Sequence, residues 1–162
     1  MKTKPVLLTL LLLTLIFSFH NSQAQTAKSP LEFFGFEPGS DGNLFDYNQL
    51  IAYFRQLDEA STRVQMREIG ESPMGKKMYM VFISAPRNLE KLDHFKEINR
   101  KLALDWQLRD AERDSLVAEN RVFVLATLSM HSNEVGPTQA APQIAYTLAN
   151  TKDPELLNCL QN

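Results

Sequence analysis

A histidine and a glutamate three residues apart, in Met130-His131-Ser132-Asn133-Glu134, are the sharpest chemical feature of this sequence. On a tight loop, an imidazole and a carboxylate at that separation can turn to one point. Zinc accepts both donor types at about 2 Å, and a catalytic zinc site uses three protein ligands and a water. The pair leaves the end of an apolar run, Val122–Leu128. Ligands of open α/β sheets gather outside the carboxyl ends of strands, which favours a functional reading. A plainer one also fits: Glu134 can sit near a helix N-terminus for the sake of the dipole alone.

Competing chemistry is thin. His94 lies in the charged helical stretch Leu92-Asp93-His94-Phe95-Lys96-Glu97 and is expected to face water rather than supply a third ligand. Ser72 and Ser129 lack a nucleophile-elbow pattern. Cys159, the single cysteine, reads as a small core residue, and alone it can build neither a disulfide framework nor a cysteine zinc cage. Gly35-x-x-x-Gly39 has neither the lysine nor the following helix of a phosphate loop. The formal net charge of -2 and pI near 5.9 leave no basic field for nucleic acid.

The elements that must position the pair follow from composition and periodicity. With 162 residues, 44% hydrophobic and 22% charged, the chain has the balance of one folded domain. Phe33–Asn43 reads as a loop packed by its phenylalanines. Asp46 is a plausible N-cap, and Tyr47, Leu50, Ile51, Phe54 and Leu57 then recur at helical spacing. Val64–Ile69 and Met78–Ser84 read as strands joined by the turn Gly70-Glu71-Ser72-Pro73-Met74-Gly75, an antiparallel hairpin. Asn88–Leu104 and Arg109–Glu119 read as helices, the second a charged, solvated one. Val122–Leu128, all apolar but Thr127, predicts a third strand buried on both faces. A charged residue at Val124 or Leu125 is then expected to abolish soluble expression. Pro137 suits the first turn of the next helix, and Asp153-Pro154 starts the last. The whole predicts an α/β fold, a mixed β-sheet with flanking helices. Three strands are few for such a sheet, and the last helix has no strand after it, so the domain is expected to be incomplete at the C-terminus.

The N-terminus predicts a targeting segment. Lys2 and Lys4 precede the apolar run Val6–Phe19, and Ser22-Gln23-Ala24 offers small residues where signal peptidase reads. That run is shorter than the roughly 20 residues of a membrane helix, so cleavage after Ala24 and export are expected rather than a stable membrane anchor. The mature protein would be periplasmic or extracellular. His20 would be lost with the segment. Residues 1–24 are thus read as a signal peptide, 25–44 as a lead-in segment and loop, and 45–162 as the N-terminal part of a longer domain.

Three landmarks, in order, resemble the zinc carboxypeptidases of the carboxypeptidase A type, specifically a bacterial secreted member. They are the helix opening Tyr47-Asn48-Gln49-Leu50, the turn Gly70-Glu71-Ser72-Pro73-Met74-Gly75-Lys76, and the strand and motif from Val122 to Gly136 that carry His131-x-x-Glu134. The resemblance implies His131 and Glu134 as the first two ligands of Zn2+, a zinc-activated water that hydrolyses C-terminal peptide bonds, and a peptide or protein substrate. In that family the third ligand, the carboxylate-binding arginines and the general-base glutamate come later in the chain. The general base is therefore expected downstream of Asn162, and this truncated chain is expected to be inactive. Met130 departs from the small residue many relatives place before the histidine, and Leu89–Asn120 is longer than the link of the digestive enzymes. The alternative is a non-catalytic exported peptide-binding module on the same fold.

Overall fold

Reciprocal caps start the first two helices of the computed structural model, which describes residues 26–162. The expected signal segment 1–24 lies outside the described residues. Ser29 caps α1 (Pro30–Phe34): its hydroxyl accepts from the Glu32 amide, and the Glu32 carboxylate accepts from the Ser29 amide. Phe33 and Phe34, read from the sequence as loop, close this short helix, and Gly35 ends it at φ 78°, a left-handed conformation that costs glycine nothing. Asp46 caps α2 (Tyr47–Ala60) in the same way, exchanging hydrogen bonds with Gln49.

The hairpin forms as the sequence predicts. Antiparallel β1 (Val64–Glu71) and β2 (Lys77–Ile83) place Val64 opposite Ile83 and Met66 opposite Val81. The ladder is irregular between Glu68 and Gly70, which leaves Ile69 without a partner. Gly70 at φ 146° follows that bulge, and Gly75 at φ 71° closes the turn. Next come α3 (Pro86–Leu89), α4 (Leu92–Leu104), α5 (Asp110–Glu119), α6 (Val135–Asn150) and α7 (Pro154–Gln161). The single helix expected over Asn88–Leu104 is thus interrupted between α3 and α4, whereas Pro142 is held inside α6 without ending it. None of the described helices is long and apolar enough to cross a membrane.

The main core joins α2, the hairpin and α6. Tyr53 and Leu57 of α2 are wholly buried against Ala27, Val64, Ala145 and Ala149. Ala145 and Ala149, one turn apart, let α6 approach α2 closely. The phenylalanines of the lead-in pack here too: Phe34 stacks on Phe45 at 4.5 Å, and Phe33 meets Tyr53 edge-on at 5.2 Å. Leu92, Phe95 and Ile98 form the buried side of α4. As its charges predict, α5 buries nothing and is tied to α4 by Lys101–Glu112 at 2.5 Å and His94–Glu119 at 2.7 Å. Cys159, read as a core residue, is exposed.

The α/β class holds, with seven helices and a two-stranded antiparallel sheet among the described residues. The third strand does not. Val122–Leu128 has no secondary structure, and Val124 is 90% and Leu125 71% exposed. A strand needs a neighbour for its backbone N–H and C=O groups, and apolar composition marks a segment fit for burial without supplying one. β1 and β2 pair only with each other here, so the segment is left outside the ladder. The expectation for a charge at these positions reverses accordingly. Val124→Lys in this chain should change unfolding free energy by less than about 0.5 kcal/mol and reduce self-association. Chemical denaturation and light scattering check both; loss of soluble protein would mean that the segment is buried after all.

Candidate metal centre

The loop that carries the motif begins with a strained residue. Leu128 has φ 55°, the one non-glycine with positive φ among the described residues, and the Ser129 amide donates to the Thr127 carbonyl across it at 2.8 Å. A branched side chain in that region costs on the order of 1–2 kcal/mol, and such strain clusters at functional sites. The bend turns the chain from the extended segment into residues 129–134.

His131 and Glu134 then meet. His131 Nδ1 lies 2.8 Å from Glu134 Oε1, while Glu134 Oε2 accepts from the backbone amides of Met130 at 2.8 Å and His131 at 3.0 Å. These contacts, the imidazole first, hold the Glu134 carboxyl well below its usual range, at about 2. The carboxylate is therefore an anion throughout the physiological range. Ser129 locks the turn from inside, its hydroxyl lying 3.2 Å from the His131 carbonyl and 3.1 Å from that of Glu134. Nothing in its spacing marks Ser129 as a positioning residue; that role emerges only from the folded loop. Both members of the pair are open to solvent, His131 at 69% and Glu134 at 43% of the side chain.

Glu134 stands at the N-cap of α6 yet caps none of that helix's amides, because its carboxylate turns back on the loop. Its charge still lies at the N-terminus of α6, where the helix dipole favours it. Behind the loop, α6 is fastened at both ends. Gln139 is buried and brackets Phe45, donating to its carbonyl at 3.1 Å and accepting from its amide at 3.3 Å. Arg63 donates to the carbonyls of Ala149 and Thr151 at 3.3 and 2.9 Å. The pair is thus anchored on its C-terminal side and free on its N-terminal side. Gln139→Leu would orphan both Phe45 backbone groups and is expected to cost about 2–4 kcal/mol, which thermal denaturation would read. A loss below 1 kcal/mol would show that water replaces the amide readily.

Donor chemistry suits zinc: one imidazole and one ionised carboxylate on a single loop. Three such groups do not come together among the described residues. His94, weighed as a third donor, belongs to α4 and pairs with Glu119 of α5.

The sequence pattern of the zinc carboxypeptidases matches residues 50–162, well over half of the chain, and spans the hairpin, the motif loop and α6. The chain belongs to the zinc carboxypeptidase family. No curated protein and no solved structure gives a significant match. Zinc carboxypeptidases are zinc-dependent hydrolases of peptide or protein substrates. Of the landmarks recognised in the sequence, Tyr47–Leu50 opens α2 and Gly70–Lys76 is an ordered hairpin turn, closed by Ser72, whose amide donates to the Lys76 carbonyl at 2.8 Å, whereas the third keeps its motif loop without the expected strand before it.

Proposed function

We propose that this protein is an exported zinc metallocarboxypeptidase in which His131 and Glu134 are two of the metal ligands. The observation that carries the reading is the convergence of the two side chains, 2.8 Å apart on an exposed loop inside the family match. When bound, zinc polarises a carbonyl and acidifies water. The chain's own residues hold and aim the donors. The amides of Met130 and His131 fix one oxygen of Glu134, and Ser129 fixes the loop around it. Two donors on one loop fall short of the three that hold a catalytic metal, and no third joins them among the described residues. His131 and Glu134 by themselves are accordingly expected to hold zinc too loosely for catalysis.

Mass spectrometry of a peptide incubated with the protein recovered from its producing cell tests the activity. Stepwise loss of C-terminal residues is expected, abolished by a zinc chelator and by His131→Ala. Internal cleavage, or cleavage indifferent to chelation, would overturn the proposal. Export rests on the charged start, apolar run and Ser22/Ala24 pair. N-terminal sequencing of the mature protein should begin at Gln25, and a start at Met1 would refute cleavage.

A further inference from the structure

The concavity between α2 and the hairpin turn holds cations that nothing neutralises. Tyr47, Ile51 and Arg55 share one face of α2, and Lys76, Lys77 and Tyr79 form the opposite wall of a cavity of about 250 Å³. No acidic residue lines it. Lys77 is engaged, with Glu68 at 2.9 Å and Glu71 at 3.2 Å. Arg55 and Lys76 have no carboxylate within ion-pair distance among the described residues.

The Arg55 guanidinium and the Lys76 backbone are also held in place. Arg55 Nη2 donates to the Tyr79 hydroxyl at 2.9 Å, and its guanidinium lies 5.6 Å from the centre of that ring. One of five N–H donors is used there, which leaves the rest of the fork open. Tyr47 donates its hydroxyl to the Lys77 carbonyl, tying the start of α2 to the end of the turn. Lys76 is presented by the turn itself: its amide donates to Ser72 Oγ at 3.1 Å, and Gly75 at φ 71° supplies the sharp bend. Holding the guanidinium and the turn before a ligand arrives reduces the ordering cost of binding one.

We propose that this cavity binds a tetrahedral oxyanion, phosphate or a phosphate monoester, between Arg55 and Lys76, with Tyr79 as a further hydroxyl donor. The donors reach the cavity from two walls, which suits an anion with acceptor oxygens on all sides better than a flat carboxylate with two. Arg55 offers the fork geometry that matches phosphate, and Lys76 a point charge. Ile51 and the Tyr79 ring add an apolar flank for the body of an ester. The inference is independent of the zinc reading, since it uses no residue of the motif loop.

An NMR titration of the full 162-residue chain with inorganic phosphate, phenyl phosphate and acetate tests it. Saturable amide shifts confined to residues 47–55 and 75–79 are expected with both phosphates, and acetate should bind more weakly. Equal binding of the two phosphates would assign the free anion; tighter phenyl phosphate would assign the ester. Arg55→Gln and Lys76→Gln should each weaken phosphate about tenfold, the size of one charge-assisted contact, while Lys96→Gln on α4 should change nothing. Added sodium chloride should weaken binding, because both cations are exposed. Acetate binding as tightly as phosphate, unsaturable shifts, or an unchanged phosphate affinity in a folded Lys76→Gln variant would overturn the proposal. Should Arg55→Gln fail to fold, Lys76→Gln on the exposed turn gives the answer alone.

Discussion

Leu57→Ala should cost this protein about 3 kcal/mol of unfolding free energy, within the range of about 2–5 kcal/mol for emptying a buried leucine site. Leu57 is wholly buried where α2, β1 and α6 meet, against Tyr53, Val64, Ala145 and Ala149. Helix α6 is fixed at its ends by hydrogen bonds, so the neighbours cannot collapse freely into the space. Tyr53→Ala should cost at least as much, because the ring also supports Phe33 and Phe34. Tyr53→Phe separates packing from polarity. It removes only the hydroxyl that donates to the Lys28 carbonyl at 3.3 Å, and about 1 kcal/mol is expected. A domain this size has about 5–15 kcal/mol of net stability, so the alanine variants should shift the urea midpoint strongly at unchanged slope. A loss under 1 kcal/mol for Leu57→Ala would mean that the α2–α6 contact is not the centre of the fold.

His131→Ala and Glu134→Gln should each reduce zinc association at least about tenfold, starting from an affinity that is already weak. The weakness has a structural cause. The Glu134 carboxylate is already satisfied by the imidazole and two amides, so a metal must displace the His131 contact to reach both donors. Exposure on the loop adds competition from water. The contact that must be displaced also holds the Glu134 pKa down to about 2, so no gain in binding from deprotonating this carboxyl is expected anywhere above pH 4. Equilibrium dialysis with zinc, on the parent chain and both variants, reads the effect directly. His94→Ala is the control and should change nothing, since its partner is Glu119. Tight stoichiometric zinc that disappears with His94 would place the third ligand inside α4 and overturn the assignment of His131 and Glu134 as two members of a larger set.

Local rules determined much of this fold. Asp46 before a 3.6-residue apolar period specifies where α2 starts and which side it buries, because a cap and a stripe act within one or two turns. The Gly70–Gly75 cluster between two apolar runs specifies the hairpin, because only glycine takes the left-handed bend at Gly75 without strain. The His-x-x-Glu spacing predicted that the pair meets for the same reason: three residues on a tight loop can bring two side chains to one point whatever surrounds them. The Val122–Leu128 segment shows where local rules stop. Its composition fits a doubly buried strand, but burial and backbone pairing belong to the neighbours, and here Val124 and Leu125 face solvent. Tertiary structure likewise decided that Ser29 extends the phenylalanine cluster as a helix, that Ser129 braces the motif from inside, and that Gln139 ties α6 to Phe45 across the chain. It also decided that Arg55 and Lys76, 21 positions apart, look into one cavity while Lys77 beside them is neutralised. A sequence states which groups can be charged or apolar; which of them find a partner depends on distances that only the packed chain sets.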